Sequence, residues 1–428
     1  VLYQYYMREK RVDDAEKAFI AKASNNLKVT AYQLQLAAHY FLQNRRPDMQ
    51  TVLDRILKNP KDYPRARLDV GEFYFRIREY DQALQQFQAG AQENPREASI
   101  YKRRQVEALV MQGKKTEASQ LVEAILKDDP KDNEAISMRA ALMLQAGTRE
   151  QIQQAINDLQ MVVSRQPENH MLRFNLARAL MAKGDLEAAR VQLLEALKQR
   201  PDHTMSRLAL TQVYVAKGDY SAALEAANEI LKVEPNNLPA RLFKTSAQIG
   251  MREYEQAQAD LEGMLAVNPQ ISDAEFQLGT VQMGKKNFKA AEATFRQFRK
   301  NHPTDPRALT GLVQTMKLQD NFDGALAMLK DELDRAPDRA DLRSLYATTA
   351  LDGKRLDIAE REYKILVDKN PKSADLLMAL GQVLRDKGDF NGAQTQFQKA
   401  KSLVPNEVGP YLHEAIVYEK QGKYKEAL

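Results

Sequence analysis

Residues 213–237 read VYVAKGDYSAALEAANEILKVEPNN. An apolar run gives way to Lys-Gly-Asp, then an aromatic, an Ala-Ala pair, spaced aliphatic residues and a proline. The segment before it, KGDLEAARVQLLEALKQRP, has the same order of residue types and ends at Pro201. The one after it, MREYEQAQADLEGMLAVNP, ends at Pro269. The same order of residue types therefore recurs along the chain.

Prolines stand at Pro60, Pro95, Pro130, Pro167, Pro201, Pro235, Pro269, Pro303, Pro337, Pro371 and Pro405, in steps of 35, 35, 37 and then 34 seven times. Twelve residues before each proline from Pro95 onward is an alanine: Ala83, Ala118, Ala155, Ala189, Ala223, Ala257, Ala291, Ala325, Ala359 and Ala393. Ala427 continues the series. A chain of 428 residues would ordinarily make about two to four domains. Self-similarity at this period instead predicts one stacked-repeat unit over 1–428. It holds a partial repeat at 1–29, eleven full repeats from about Thr30 to Glu407, and a partial repeat at 408–428.

Each unit reads as two helices. In the unit opening at Thr204, Leu208, Leu210, Val213 and Tyr214 are spaced for one helical face. Lys217-Gly218-Asp219 breaks that helix, with Gly218 taking the left-handed conformation favoured just past a helix end. The second helix carries Ala222, Ala223, Ala226, Ala227, Ile230 and Leu231, and Pro235 closes it because proline cannot continue a helix. The recurring alanine marks a close helix–helix contact with no room for a larger side chain. The 37-residue step predicts an inter-helix turn lengthened by three residues near AGTREQI, residues 146–152.

The pattern resembles the tetratricopeptide repeats. Val70, Gly71, Tyr74, Tyr80, Ala83, Phe87 and Pro95 carry the match, as do Leu278, Gly279, Phe288, Ala291, Phe295 and Pro303, and Leu380, Gly381, Phe390, Ala393, Phe397 and Pro405. The family's tryptophan is absent throughout. The resemblance implies an all-α, right-handed superhelical solenoid with a concave groove lined mainly by first helices. It also implies a non-catalytic scaffold that binds protein segments in that groove. The AKGD style of turn and the cysteine-free composition are similar to long bacterial repeat proteins of the envelope and of exopolysaccharide export, a second functional reading.

Composition narrows the field. Lys plus Arg exceed Asp plus Glu by 63 to 58, too small a surplus to imply a nucleic-acid or membrane partner. No apolar run is long enough to span a bilayer. Without cysteine there is no disulfide, thiolate chemistry or Cys-ligated zinc. That absence leans toward a bacterial periplasm or cell envelope, with the cytoplasm as the alternative. The start at Val1 reads as a processed or trimmed piece. Both ends fall inside a repeat, with Leu2, Tyr3 and Tyr6 at one and Tyr418, Tyr424 and Leu428 at the other, which marks either truncation or end-to-end self-association.

No phosphate-cradling glycine motif, nucleophile elbow or HExxH pair appears. His39, His170, His203, His302 and His413 sit in different repeats without ligand spacing and read as surface or turn residues. No catalytic residue, cofactor or metal is expected. The basic clusters Arg96, Lys102, Arg103, Arg104, Lys114, Lys115 and Lys285, Lys286, Lys289, Arg296, Arg299, Lys300 are interleaved with acids and read as solvated helix faces. Arginines recur 28 residues before a proline, at Arg67, Arg173, Arg207, Arg241 and Arg343. The reading preferred over a ligand-binding ladder pairs each with the preceding second helix, Arg207 with Glu195 and Arg241 with Glu229.

The family's carboxylate clamp is missing: around Asn175, the matching slots hold Ser137, Ala141, Met205 and Ala209. A lone Asn175 makes no asparagine ladder. The expected groove is charged at Arg65, Asp69, Glu72, Arg76, Arg103, Arg104 and Glu107, then becomes apolar and methionine-rich. Its candidate binding residues are Met171, Phe174, Asn175, Arg178, Met181, Met205, Gln212, Phe276 and Met283. Flexible thioethers suit an adaptable surface for an extended peptide or amphipathic helix.

The alanine register is testable. Ala223→Leu should destabilise by about 1–3 kcal/mol through overpacking, while Ser221→Leu stays within about 0.5 kcal/mol. Equal shifts of the denaturation midpoint would show the register to be wrong.

Overall fold

The computed structural model describes residues 5–6 and 8–427. Leu2, Tyr3 and Leu428, named above as terminal apolar residues, lie outside them. Among the described residues every regular element is helical, with one short 3-10 turn at Pro95–Glu97 and no strand. Helices alternate in the expected pairs: Thr204–Lys217 is followed by Tyr220–Val233, and Ala374–Lys387 by Phe390–Leu403. The fold is all-α, a helical-repeat solenoid.

The chain divides into two compact units, Val1–Val213 and Tyr214–Leu428. In the first, each helix packs on its neighbours in sequence, and first helices also touch the next first helix. Ala98–Met111 meets Asn133–Ala146, which in turn meets His170–Lys183. In the second unit Leu238–Gly250 meets Ser272–Gly284, which meets Arg307–Lys317. Within each unit, first helices thus adjoin along one side.

Turn chemistry explains the Lys-Gly-Asp signature. Gly184, Gly218 and Gly388 have φ of 85, 75 and 87°, the left-handed region that glycine enters without a Cβ penalty. The next residue caps the second helix: Asp185, Asp219 and Asp389 accept from the backbone N–H of Ala188, Ala222 and Gly392. Where glycine is missing the backbone does the same thing under strain, with Arg78, Arg252, Lys286, Asp320 and Lys354 all at positive φ.

The three extra residues are not in a turn. Gly147 is left-handed and Thr148 caps the next helix, so that turn is as short as the others. The insertion lengthens the second helix itself: Arg149–Arg165 has 17 residues where Leu186–Gln199 has 14. Three residues approximate one 3.6-residue turn, so extension at the N-terminus leaves the register of Ala155 intact.

All ten recurring alanines are 0% exposed. They begin a buried stripe at i, i+4 and i+7, such as Ala155, Leu159, Val162 and Ala291, Phe295, Phe298. Opposite the central residue of that stripe, some first helices supply a glycine. A Cβ on Gly71 would fall 2.4 Å from the Phe87 ring, on Gly279 2.6 Å from Phe295, and on Gly381 2.5 Å from Phe397. The Leu-Gly signature is thus a socket for a ring.

Gly279→Ala should therefore cost about 1–3 kcal/mol, because Phe295 is fully buried and has nowhere to move. Gly263→Ala, on an exposed helix face with nothing within 4 Å, should be neutral or stabilise by up to about 1 kcal/mol. Chemical denaturation of the two variants checks this; a destabilised Gly263→Ala and an unaffected Gly279→Ala would refute the socket.

Candidate functional site: the first-helix face

The sequence-predicted groove residues fall into two sets. On the helix His170–Lys183, Met171, Asn175 and Arg178 are spaced i, i+4, i+7 and share one face. Asn175 and Arg178 line a depression with Ser137, Ala141 and Leu144 of the preceding first helix, Asn133–Ala146. Met171 is 42% exposed and Met205 56%; Gln212 is exposed and Met181 half-buried. Phe174 does not join them. It is buried at 7% exposure, its ring meeting His203 edge-on at 5.5 Å and lying 5.9 Å beneath the Arg178 guanidinium.

Phe276 and Met283 belong to the other unit and take packing roles. Phe276 lies against Phe295 and Phe298 at 5.7 and 5.9 Å, with the Arg307 guanidinium 5.2 Å above it. Met283 packs on the core of Ala291, Phe295 and Leu312. Leu242 and Ile249 likewise support the core around Leu261 and Met264.

The charged stretch is closed by its own ion pairs. Arg104 reaches Glu72 of the preceding repeat and Glu107 of its own helix, both at 2.6 Å. Arg103 holds Asp132 and Glu134 at 2.6 Å each. Asp69 and Arg76 line a separate depression with Leu34, Ala38 and Phe73, where burial pushes the Asp69 carboxyl up against the opposing pull of Arg65 and Arg76. Much of the basic clusters is also paired, Lys102 with Asp128 at 2.8 Å and Arg299 with Glu332 at 2.6 Å.

The recurring arginines choose other partners than expected. Arg67, Arg173 and Arg343 reach forward to the second helix of their own repeat, 19 residues on. Arg67 donates to Gln86 at 2.9 Å, Arg173 to Gln192 at 3.0 Å, and Arg343 to Glu362. The guanidinium also donates back to the proline carbonyl six residues earlier, at Pro167, Pro201 and Pro337. Arg207 makes no bond to Glu195. Arg139, 28 residues before Pro167, belongs to the same series although the sequence reading passes over it; it stands nine residues past Pro130, where Arg173, Arg207 and Arg343 stand six past theirs. It grips buried Asp158 at 2.8 and 3.0 Å, and Gln154 donates to the same carboxylate at 3.0 Å.

The histidines also differ from expectation. His39 is 1% exposed. His170 and His203, from consecutive repeats, meet edge-on at 5.0 Å, and His203 Nδ1 pairs with the Ser206 hydroxyl at 2.7 Å. Burial pushes the His203 imidazole pKa down, with His170 and Arg200 adding to the effect. Among the described residues no group of three or more His, Asp or Glu could hold a metal ion, and no helix is long and apolar enough to cross a membrane.

Sequence profiles described as tetratricopeptide repeat match residues 148–212, 246–306 and 347–408. Those three stretches are tetratricopeptide repeats. No curated protein matches the chain. Among solved structures, yeast Tom70 is similar with a TM-score of 0.53 at 15% identity, covering 99% of this chain and 94% of that one. The APC/C hetero-tetramer Cut9–Hcn1 is similar with a TM-score of 0.52 at 13% identity, over 100% and 84%. At these identities the likeness is one of fold. Repeats of this type generally mediate protein–protein interactions.

The arginine series gives a stability test. Arg139→Met leaves the Asp158 carboxylate buried with only Gln154, and should cost about 3 kcal/mol or more. Arg335→Met, at an exposed pair with Glu332, should stay within about 0.5 kcal/mol. Urea unfolding that ranks the two alike would remove the pair from the framework.

Proposed function

We propose that this chain is a non-catalytic interaction scaffold. It holds a peptide or helical segment of a protein partner on the first-helix face around Met171, Asn175, Arg178 and Met205. The observation that carries this reading is a contrast within one unit. Around Arg103 and Arg104 the face is occupied by its own ion pairs. Around Met171 and Met205 it offers exposed thioethers, and Asn175 and Arg178 have no hydrogen-bond or ion-pair partner among the described residues. Flexible, polarisable methionines adapt to the shape of an apolar anchor at little cost.

A second reading, end-to-end self-association, is favoured by the helix Val408–Lys420, which leaves Val408, Tyr411 and Leu412 exposed. The bacterial envelope and export role rests on turn style and cysteine-free composition, and none of the matches points to it.

Affinity capture from a lysate, read by mass spectrometry, separates these possibilities. Partners held by the wild-type chain should be lost with Met171→Glu plus Met205→Glu and kept with the exposed control Lys289→Glu, while the helical circular-dichroism signal stays unchanged. Retention of the same partners by the double variant would move the binding surface elsewhere.

A further inference from the structure

The face around Arg178 carries a charge that nothing among the described residues answers. The triplets Ser137, Ala141, Leu144 and Met171, Asn175, Arg178 each follow i, i+4, i+7, so each lies along one side of its helix. Arg178 is the only charged residue in either triplet. It is exposed, its guanidinium lies 5.9 Å from the centre of the Phe174 ring, and no carboxylate or hydrogen-bond acceptor reaches it among the described residues. Asn175, one turn earlier, makes no hydrogen bond either. Several other first-helix arginines are answered: Arg103 by Asp132, Arg104 by Glu72, Arg139 by Asp158, Arg343 by Glu362.

A guanidinium held over a ring beside a free amide presents a fork of donors matched to a carboxylate. Leu144 and Met171 give that fork apolar flanks. Resting on the scaffold reading above, we infer that this face takes a partner segment which sets one aspartate or glutamate side chain on Arg178 and Asn175, with apolar side chains to either side. An internal side chain fits better than a chain terminus. The face continues past Arg178 in both directions, toward Ala141 and toward Met205, so the bound chain passes through the site instead of stopping at it.

The test uses the full chain and labelled twelve-residue peptides of alternating leucine and serine, blocked at both ends. Their central residue is Glu, Gln or Lys; a fourth peptide has Gln and a free C-terminal carboxylate. Fluorescence anisotropy should show the Glu peptide binding about five- to tenfold more tightly than the Gln peptide, with Lys weakest. That preference should shrink as salt rises. Arg178→Gln should bring the Glu peptide down to the Gln level, Arg178→Lys should keep part of the preference, and Lys289→Gln should change nothing. Equal binding of the Glu and Gln peptides overturns the carboxylate assignment, as does a preference surviving in Arg178→Gln, or tightest binding by the free-terminus peptide. In those cases loss of binding with Met171→Glu plus Met205→Glu would leave the apolar face standing as the docking surface. If no peptide binds, both readings fall.

Discussion

Two helices share a tight seam only where one of them carries nothing larger than a methyl group at the point of closest approach. Here that point recurs as ten alanines, every one without exposed surface. The rest of each repeat is arranged around it. Four residues on, the same stripe buries an apolar side chain, and where that side chain is Phe87, Phe295 or Phe397 the opposing helix gives way to glycine. A lone pair of helices could not bury this much apolar surface. Each repeat is therefore stable only through its neighbours.

The punctuation that sets up this seam was legible in the sequence, because glycine, proline and the capping aspartates act locally. Gly218 at positive φ and Asp219 at the cap are properties of a few adjacent residues. What lay beyond reading was anything decided across helices. The sequence alone points to a turn for the extra residues before Ala155, because loops usually absorb insertions. Nearly a whole helical turn can be added to a helix end without disturbing the buried stripe, and this chain uses that solution. The arginine series is visible in the spacing, but the helix that Arg67, Arg173 and Arg343 reach is not, since a side chain of that length reaches two candidate neighbours and periodicity does not say which. Arg139 was missed for a related reason. It stands nine residues past the preceding proline, one turn further along its first helix than Arg173 or Arg207, while the spacing of 19 residues to its partner is the same.

The candidate binding surface shows the same limit. Met171, Asn175 and Arg178 could be placed on one face by counting, and the structure sets Asn175 and Arg178 against Ser137 and Ala141. Counting could not separate Phe174 from its neighbours. A ring one residue from an exposed position is turned inward by a 100° step, and whether it stays partly open depends on what waits there, in this case His203. Phe276 and Met283 were drawn into packing by the ring of Phe295, which the Gly279 socket holds in place.

Charge then distinguishes the parts of the first-helix face that support the fold from the part left open. A carboxylate shut away from water is unfavourable unless a cation meets it, so Asp132, Asp158 and Glu362 each demand an arginine. Those arginines are committed to the fold and cannot be lent to a ligand without leaving a buried charge behind. Arg178 is under no such obligation. Among the described residues it meets the Phe174 ring alone, a contact that steadies the guanidinium while leaving its charge uncompensated. A cation that folding does not need, set among side chains that gain from being covered, can exchange water for a partner's carboxylate without unpicking any contact of the solenoid.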